Sequence, residues 1–104
     1  MSKLIHGFVP THPGTVIKDE IEYLGISQRQ LAEHLGMKCS VVNEILNGKR
    51  PVTTQTAFMI EAALGIPAEV LLHLQMKYDI RMAKADGALK NRLDHIERFE
   101  LISA

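Results

Sequence analysis

The chain has 104 residues, of which 46% are hydrophobic and 23% charged, so it is long enough for one globular domain with a modest core. Twelve Lys and Arg balance twelve Asp and Glu, so the chain lacks the overall basic excess of most nucleic-acid binders. A single cysteine excludes an internal disulfide, and no apolar run approaches the roughly 18 residues of a membrane span, so we expect a cytoplasmic protein without membrane contact.

The first predicted helix covers about residues 13–24. Pro13 suits the first turn of a helix, with Thr11 or His12 before it as the cap. Gly25 suits its end. Its apolar stripe, spaced four and then three residues apart, consists of Ile17, Ile21 and Leu24.

Two short helices joined by a glycine turn are predicted next, over about 28–35 and 39–46. Ser27 and Gln30 have the spacing of a capping box at the start of the first helix. Gly36 ends it, because glycine enters the left-handed conformation without steric cost. The second helix has apolar residues at i, i+3 and i+4, a face that packs inward: Val42, Ile45 and Leu46. This is the sequence pattern of a helix-turn-helix, and it makes DNA the first partner to consider.

Positive charge is concentrated in the same stretch. Residues 25–50 carry four basic and two acidic side chains, a local net charge of +2. So few phosphate contacts per subunit imply weak non-specific affinity, and useful DNA binding then requires a dimer or another partner.

The remaining segments are also helical. A segment over about 54–64 is apolar nearly all round, which predicts a central helix. A fifth helix over about 67–85 follows, and residues 86–104 form an amphipathic helix or tail. No strand pattern of useful length is present, so we expect an all-α fold. Two apolar stripes are candidate dimer interfaces, although either is equally consistent with plain core: Val70, Leu71, Leu74 and Tyr78 in the fifth helix, and Leu89, Leu93, Ile96 and Phe99 in the tail.

Catalytic and metal-binding patterns are not evident. The five histidines lack the i, i+4 spacing of metal ligands, and no nucleophile–base arrangement or glycine-rich phosphate loop is present. We therefore expect no enzymatic activity, no metal and no cofactor.

Several spaced motifs resemble those of the HigA (VapI-type) antitoxins in the Xre, or phage-repressor-like (Cro/C1), helix-turn-helix family. They lie within about residues 6–80 and are His12-Pro-Gly14, Leu24-Gly-Ile-Ser-Gln28, Leu46-Asn-Gly-Lys-Arg-Pro-Val-Thr53, Ala63-Leu-Gly65, Leu74-Gln75 and Tyr78-Asp79. The resemblance implies a five-helix phage-repressor-like DNA-binding domain over 1–85 with a C-terminal helical extension. It also implies an autorepressor that binds its own double-stranded operator DNA as a homodimer and neutralises a RelE-like, mRNA-cleaving toxin.

The resemblance further implies which positions contact DNA. Base readout falls on the start and outer face of the second helix of the motif, at Lys38, Cys39, Ser40, Val41, Asn43 and Glu44. Phosphate contact falls on the start of the first helix and on the loop after the second, at Gln28, Arg29, Asn47, Lys49 and Arg50. The chain departs from its relatives in having no arginine on the second helix, so readout is expected to rest on Asn43 bonding adenine and Glu44 accepting from cytosine.

Alternative interpretations stay open at this point. One is a stand-alone phage-type repressor without a toxin. Another is a protein-binding helical module with a vestigial helix-turn-helix, which the zero net charge favours. Cys39 is open to two readings, a small packing residue and a redox switch.

Overall fold

The computed structural model describes residues 11–100, and every regular element in that range is a helix. The helices are α1 Pro13–Leu24, α2 Gln28–Leu35, α3 Cys39–Leu46, α4 Thr54–Leu64, α5 Ala68–Ala85 and α6 Gly87–Asp94. The all-α class is therefore confirmed. The fifth helix begins one residue later than predicted, because Pro67 is its N-cap. Within this range no helix has the length and apolar character needed to cross a bilayer.

Local signals in the sequence set the ends of these helices. Ser27 Oγ accepts from the Gln30 N–H at 3.0 Å, and Gln30 Oε1 accepts from the Ser27 N–H at 2.8 Å, so the predicted capping box is present. Gly36 follows α2 at φ 69°, a left-handed conformation that glycine adopts without strain. Thr53 Oγ1 accepts from the Thr56 N–H at 3.2 Å and caps α4. Short-range hydrogen bonds thus set where α2 and α4 begin, and Gly36 sets where α2 ends.

A single apolar core joins the first five helices. Ile17 and Leu71 are fully buried within it, and burial of one such side chain contributes about 1.5–3 kcal/mol to folding. The predicted inward face of α3 is confirmed. Leu24 lies outside the core with 47% of its surface exposed, because α1 ends there. The buried cluster consists of Ile17, Ile21, Leu31, Ala32, Val42, Ile45, Leu46, Val52, Ala57, Ile60, Ala68 and Leu71.

The prediction that α4 is a central helix is wrong. Ala57 and Ile60 are its buried residues, and Phe58 is 56% exposed. Helix α4 packs on α2 and α5, and its outer side faces solvent although it carries apolar residues. Composition alone did not predict this because the burial of a helix depends on how many of its sides have neighbours.

The fifth-helix stripe of candidate interface residues is mostly part of this domain. Leu71 is wrong as an interface candidate, since it is fully buried in the core. Leu74 and Tyr78 are half-buried, and the Tyr78 ring packs on His12. Val70, with 44% of its surface exposed, is the member of the stripe that is open to solvent.

The chain from residue 76 to residue 100 leaves the core and is called the arm below. Tyr78 and Leu89 are its half-buried side chains, and the others in this range are exposed. Asp86 begins α6 by accepting from the N–H groups of Ala88 and Leu89. Large apolar side chains remain open to solvent along the arm, namely Met76, Ile80, Met82, Leu93, Ile96 and Phe99. A continuous stretch of this kind is typical of an interaction surface.

Gly14, in the first turn of α1, lies very close to the end of α3. A Cβ built on Gly14 would overlap the Ile45 carbonyl oxygen near the end of α3. Gly14→Ala should therefore lower the free energy of unfolding by about 1–3 kcal/mol, measured by urea denaturation. Gly87→Ala is the matched control, because nothing lies within 4 Å of its added Cβ, and it should be close to neutral. Equal midpoints for the two variants would contradict the close packing of α1 on α3.

Candidate DNA interface

Helix α3 presents one apolar face to the core and one polar face to solvent. The turn before it is fixed by the Met37 N–H, which donates to the Ala32 carbonyl at 2.9 Å. Lys38, Cys39, Ser40 and Asn43 are exposed, whereas Val41 and Glu44 are half-buried. Exposure of Cys39 argues against its reading as a core packing residue. The six positions assigned to base readout therefore lie at the start and on the outer sides of one helix.

Asn43 is held in place by a residue of the preceding helix. Its Nδ2 donates to Gln28 Oε1 at 2.9 Å. Gln28 is the first residue of α2, so this bond links the outer face of α3 to the helix terminus assigned to phosphate contact. Asn43 retains its Oδ1 and one N–H, the acceptor and donor that match N6 and N7 of adenine in the major groove. Both residues were predicted at the site, but their pairing was not.

Glu44 and Arg50 form an ion pair beside this face. Arg50 Nε and Nη2 both donate to Glu44 Oε1, at 3.0 Å and 2.7 Å. The two side chains are about half exposed, at 45% for Glu44 and 49% for Arg50. An exposed pair adds only about 0–1 kcal/mol to stability. Its larger effect is on the surface charge, because it brings together an acid assigned to base readout and a base assigned to phosphate contact.

The loop after α3 turns sharply and carries the basic residues. Asn47 Nδ2 donates to the Asn43 carbonyl at 2.9 Å. Gly48 has a φ of 75°, and the Lys49 N–H then donates to the Glu44 carbonyl at 2.8 Å. These bonds place Lys49 and Arg50 at the C-terminal end of α3, where both side chains are exposed.

His12 anchors this loop to the rest of the domain. The residue is 7% exposed, and its Nδ1 accepts from the Gly14 N–H at 2.9 Å, which caps α1. The ring lies edge-on to Tyr78 with the centroids 4.9 Å apart, and it also hydrogen-bonds the backbone of Arg50. Only the capping role was predicted from the sequence, because the other two contacts join residues far apart in the chain.

Gln75 anchors the far end of the same loop. Its Oε1 accepts from the Val52 N–H at 2.8 Å, and its Nε2 donates to Asp79 Oδ1 at 2.9 Å. The side chain is buried, so the bond satisfies a backbone donor that water does not reach. Gln75 and Asp79, which belong to two of the motifs noted in the sequence, thus hold the loop in place.

The burial of His12 makes domain stability depend on pH. Burial lowers the pKa of His12, whereas the Asp79 carboxylate and the bond to the Arg50 backbone oppose that shift. The unfolded chain therefore binds this proton more readily than the folded one. The free energy of unfolding should fall as the pH drops from about 6.5 toward the lowered pKa of the folded state.

Substitution at position 12 tests this dependence. His12→Asn keeps a capping oxygen but does not titrate, so the loss of stability between pH 7 and pH 5 should become smaller, as measured by urea denaturation at each pH. His34→Asn, at an exposed position of α2, should retain the wild-type dependence. If His12→Asn has the same pH profile as the wild type, His12 is not the group responsible.

Metal ligation has no support in the part of the chain that the structure describes. Between residues 11 and 100, no three His, Cys, Asp or Glu side chains are placed to hold an ion together.

The geometry defines a class of protein. Two short helices meet at a glycine turn, the second exposes a polar face, and a basic loop follows at once, which is the architecture of a helix-turn-helix DNA-binding domain. The model of the helix-turn-helix family matches residues 17–71.

Relatives narrow the class. Virulence-associated protein I of Dichelobacter nodosus is 34% identical over 76 residues, which cover 72% of this chain and 70% of that protein. An addiction module antidote protein of the HigA family from Coxiella burnetii has 35% identity and a TM-score of 0.71, covering 86% of this chain and 98% of that one. Pseudomonas aeruginosa antitoxin HigA, solved with the higBA promoter, has 27% identity and a TM-score of 0.74 over 88% of this chain and all (100%) of that one. The chain therefore belongs to the helix-turn-helix family and, within it, to the HigA-type antitoxins.

Proposed function

We propose that this protein is the antitoxin of a HigB-HigA-type toxin–antitoxin module and represses its own operon by binding operator DNA as a homodimer. The observation that carries the proposal is the outer face of α3, where Asn43 is fixed by Gln28 beside the exposed loop of Lys49 and Arg50. Among its structural relatives, Pseudomonas aeruginosa HigA was solved with promoter DNA and PA4674 with its operator DNA.

The contacts divide into two groups. Helix α3 enters the major groove, and base edges are read from its start and outer face by Lys38, Cys39, Ser40, Val41, Asn43 and Glu44. Phosphates on either side are held by Gln28, Arg29, Asn47, Lys49 and Arg50, and the N-terminal amides of α2 add to this contact. The support for this division is that the first group lies on α3 and its cap, while the second lies at the α2 terminus and in the loop.

Charge favours a dimeric reader. The chain has no net charge, so one copy gains little from counterion release. Two copies related by a two-fold axis place their reading helices about 34 Å apart on one face of the duplex and double the number of contacts. We assign the dimer contact to the arm, which carries exposed apolar side chains on the last part of α5 and beyond residue 85.

Membership of the HigA-type antitoxins supports a toxin partner, and one experiment separates the antitoxin from a stand-alone repressor. A short neighbouring reading frame should encode a basic, RelE-like protein that arrests growth when expressed alone. Coexpression with this chain should restore growth, and the two proteins should copurify. Growth arrest that coexpression leaves unchanged would favour the stand-alone repressor.

Two substitutions separate base readout from phosphate contact. Asn43→Ala should reduce the binding free energy for the promoter duplex by about 1–3 kcal/mol and relax the sequence preference at one base pair. Its affinity for a random duplex should change little. Lys49→Ala should weaken binding to both duplexes alike. It should also reduce the slope of log affinity against log salt concentration by about one. Fluorescence anisotropy titrations at several salt concentrations measure both effects. Equal losses on the two duplexes for Asn43→Ala would contradict its role in readout.

The dimer contact is tested by placing charges on the arm. Leu93→Arg with Ile96→Arg introduces two cations into an exposed apolar stretch, so the protein should become monomeric in sedimentation equilibrium and bind the promoter duplex more weakly. Phe58→Arg is the matched control, because Phe58 is exposed on α4 outside the arm and its substitution should leave the dimer intact. If the protein with both substitutions is still a dimer, the interface lies on another surface, and the exposed Val70 of α5 is then the next candidate.

A further inference from the structure

The Glu44–Arg50 ion pair shows that the two residues do not act independently, although Glu44 was assigned to base readout and Arg50 to phosphate contact. As a phosphate contact, Arg50 would act on every DNA sequence alike. In the free protein, however, two of its N–H donors, on Nε and Nη2, are already directed at Glu44 Oε1. Glu44 Oε2 takes no part in this contact, which leaves an acceptor on the same carboxylate.

The loop geometry keeps the two side chains together. Glu44 and Arg50 are six residues apart, and the turn at Gly48 brings the chain back toward α3. The Lys49 N–H donates to the carbonyl of Glu44 itself, at 2.8 Å, so the backbone holding Arg50 is bonded to the residue that Arg50 pairs with. His12 fixes the Arg50 backbone from the other side. The pair therefore follows from the loop backbone as well as from the attraction of opposite charges.

Binding of DNA changes the electrostatic environment of the Glu44 carboxylate. Transfer of Arg50 to a phosphate would leave the Glu44 carboxylate facing the negatively charged groove, where an unpaired anion is unfavourable. A cytosine opposite Glu44 removes this penalty, because its N4 amino group donates to the carboxylate. Adenine can do the same through its N6 amino group, whereas guanine and thymine present the acceptors O6 and O4 and leave the penalty in force.

We propose that Glu44 is a specificity residue that makes the phosphate contact of Arg50 conditional on sequence. It retains the guanidinium where the facing base presents an acceptor, and it releases the guanidinium where the amino group of a cytosine or an adenine takes its place. The inference rests on the proposed operator binding. It replaces the expectation that Arg50 grips the backbone of all sequences equally, and it adds discrimination beyond the hydrogen bond between Glu44 and the base itself.

Arg50 and Lys49 give a matched comparison, since both are exposed cations of the same loop. Arg50→Ala in the full chain should weaken binding to the promoter duplex about tenfold and binding to a random duplex of equal length less than about threefold. Lys49→Ala should weaken both by the same factor, as befits a contact that does not depend on sequence. Anisotropy titrations across a salt series provide the affinities and slopes.

Removal of the Glu44 carboxylate should make the phosphate contact of Arg50 independent of the DNA sequence. Glu44→Gln should bind the random duplex about three- to tenfold more tightly and raise its salt slope by about one, because Arg50 then reaches a phosphate on any sequence. In an Arg50→Ala background, Glu44→Gln should leave that slope unchanged. Glu22→Gln, at an exposed position of α1, makes the same change in net charge and should raise neither the affinity nor the slope.

Two results would overturn the coupling. One is that Arg50→Ala lowers the affinity for the promoter and random duplexes by the same factor. The other is that Glu44→Gln still increases the salt slope on the random duplex when Arg50 has been replaced by alanine. Failure of the proposed function is a separate result, since it would be seen in the wild-type protein as equal affinity for promoter and random duplexes.

Discussion

The position of the reading helix depends on the contact between the start of α1 and the end of α3. Gly14 lets the two backbones approach so closely that a methyl group would overlap the Ile45 carbonyl. His12, two residues earlier, caps α1 and bonds the backbone of Arg50. One short segment therefore fixes both the tilt of α3 and the loop that follows it. In the proposed operator complex α3 must match the groove to within a fraction of an ångström, so we expect small residues at this contact to influence DNA recognition without touching DNA.

The sequence predicted those features that depend on neighbours in the chain. Ser27, Gln30 and Gly36 determine the ends of α2 through bonds spanning three or four residues, and these bonds are present. The inward face of α3 followed from its periodicity. Such features are predictable because the residues that cause them lie within one or two turns.

The features that were missed depend on the way helices meet. The Gln28–Asn43 bond joins residues 15 apart, and the contact of His12 with Tyr78 joins α1 to α5. Burial was misjudged for the same reason. Leu71 was considered for an interface and lies in the core, whereas α4 was expected at the centre and exposes Phe58. An apolar pattern indicates which face prefers burial, but the chain's own packing decides which faces are covered.

The balance of charge at the site bears on the number of molecules needed to occupy an operator. A chromosome offers about 10⁶–10⁹ competing sites, and strongly basic proteins are held on them by the phosphate backbone. This chain carries no net charge, and an exposed arginine of the loop after α3 is paired with a glutamate. We therefore expect a larger share of its copies to stay free in solution instead of being stored on bulk DNA. The operator should then respond quickly to changes in the amount of protein, even when only a few copies are present.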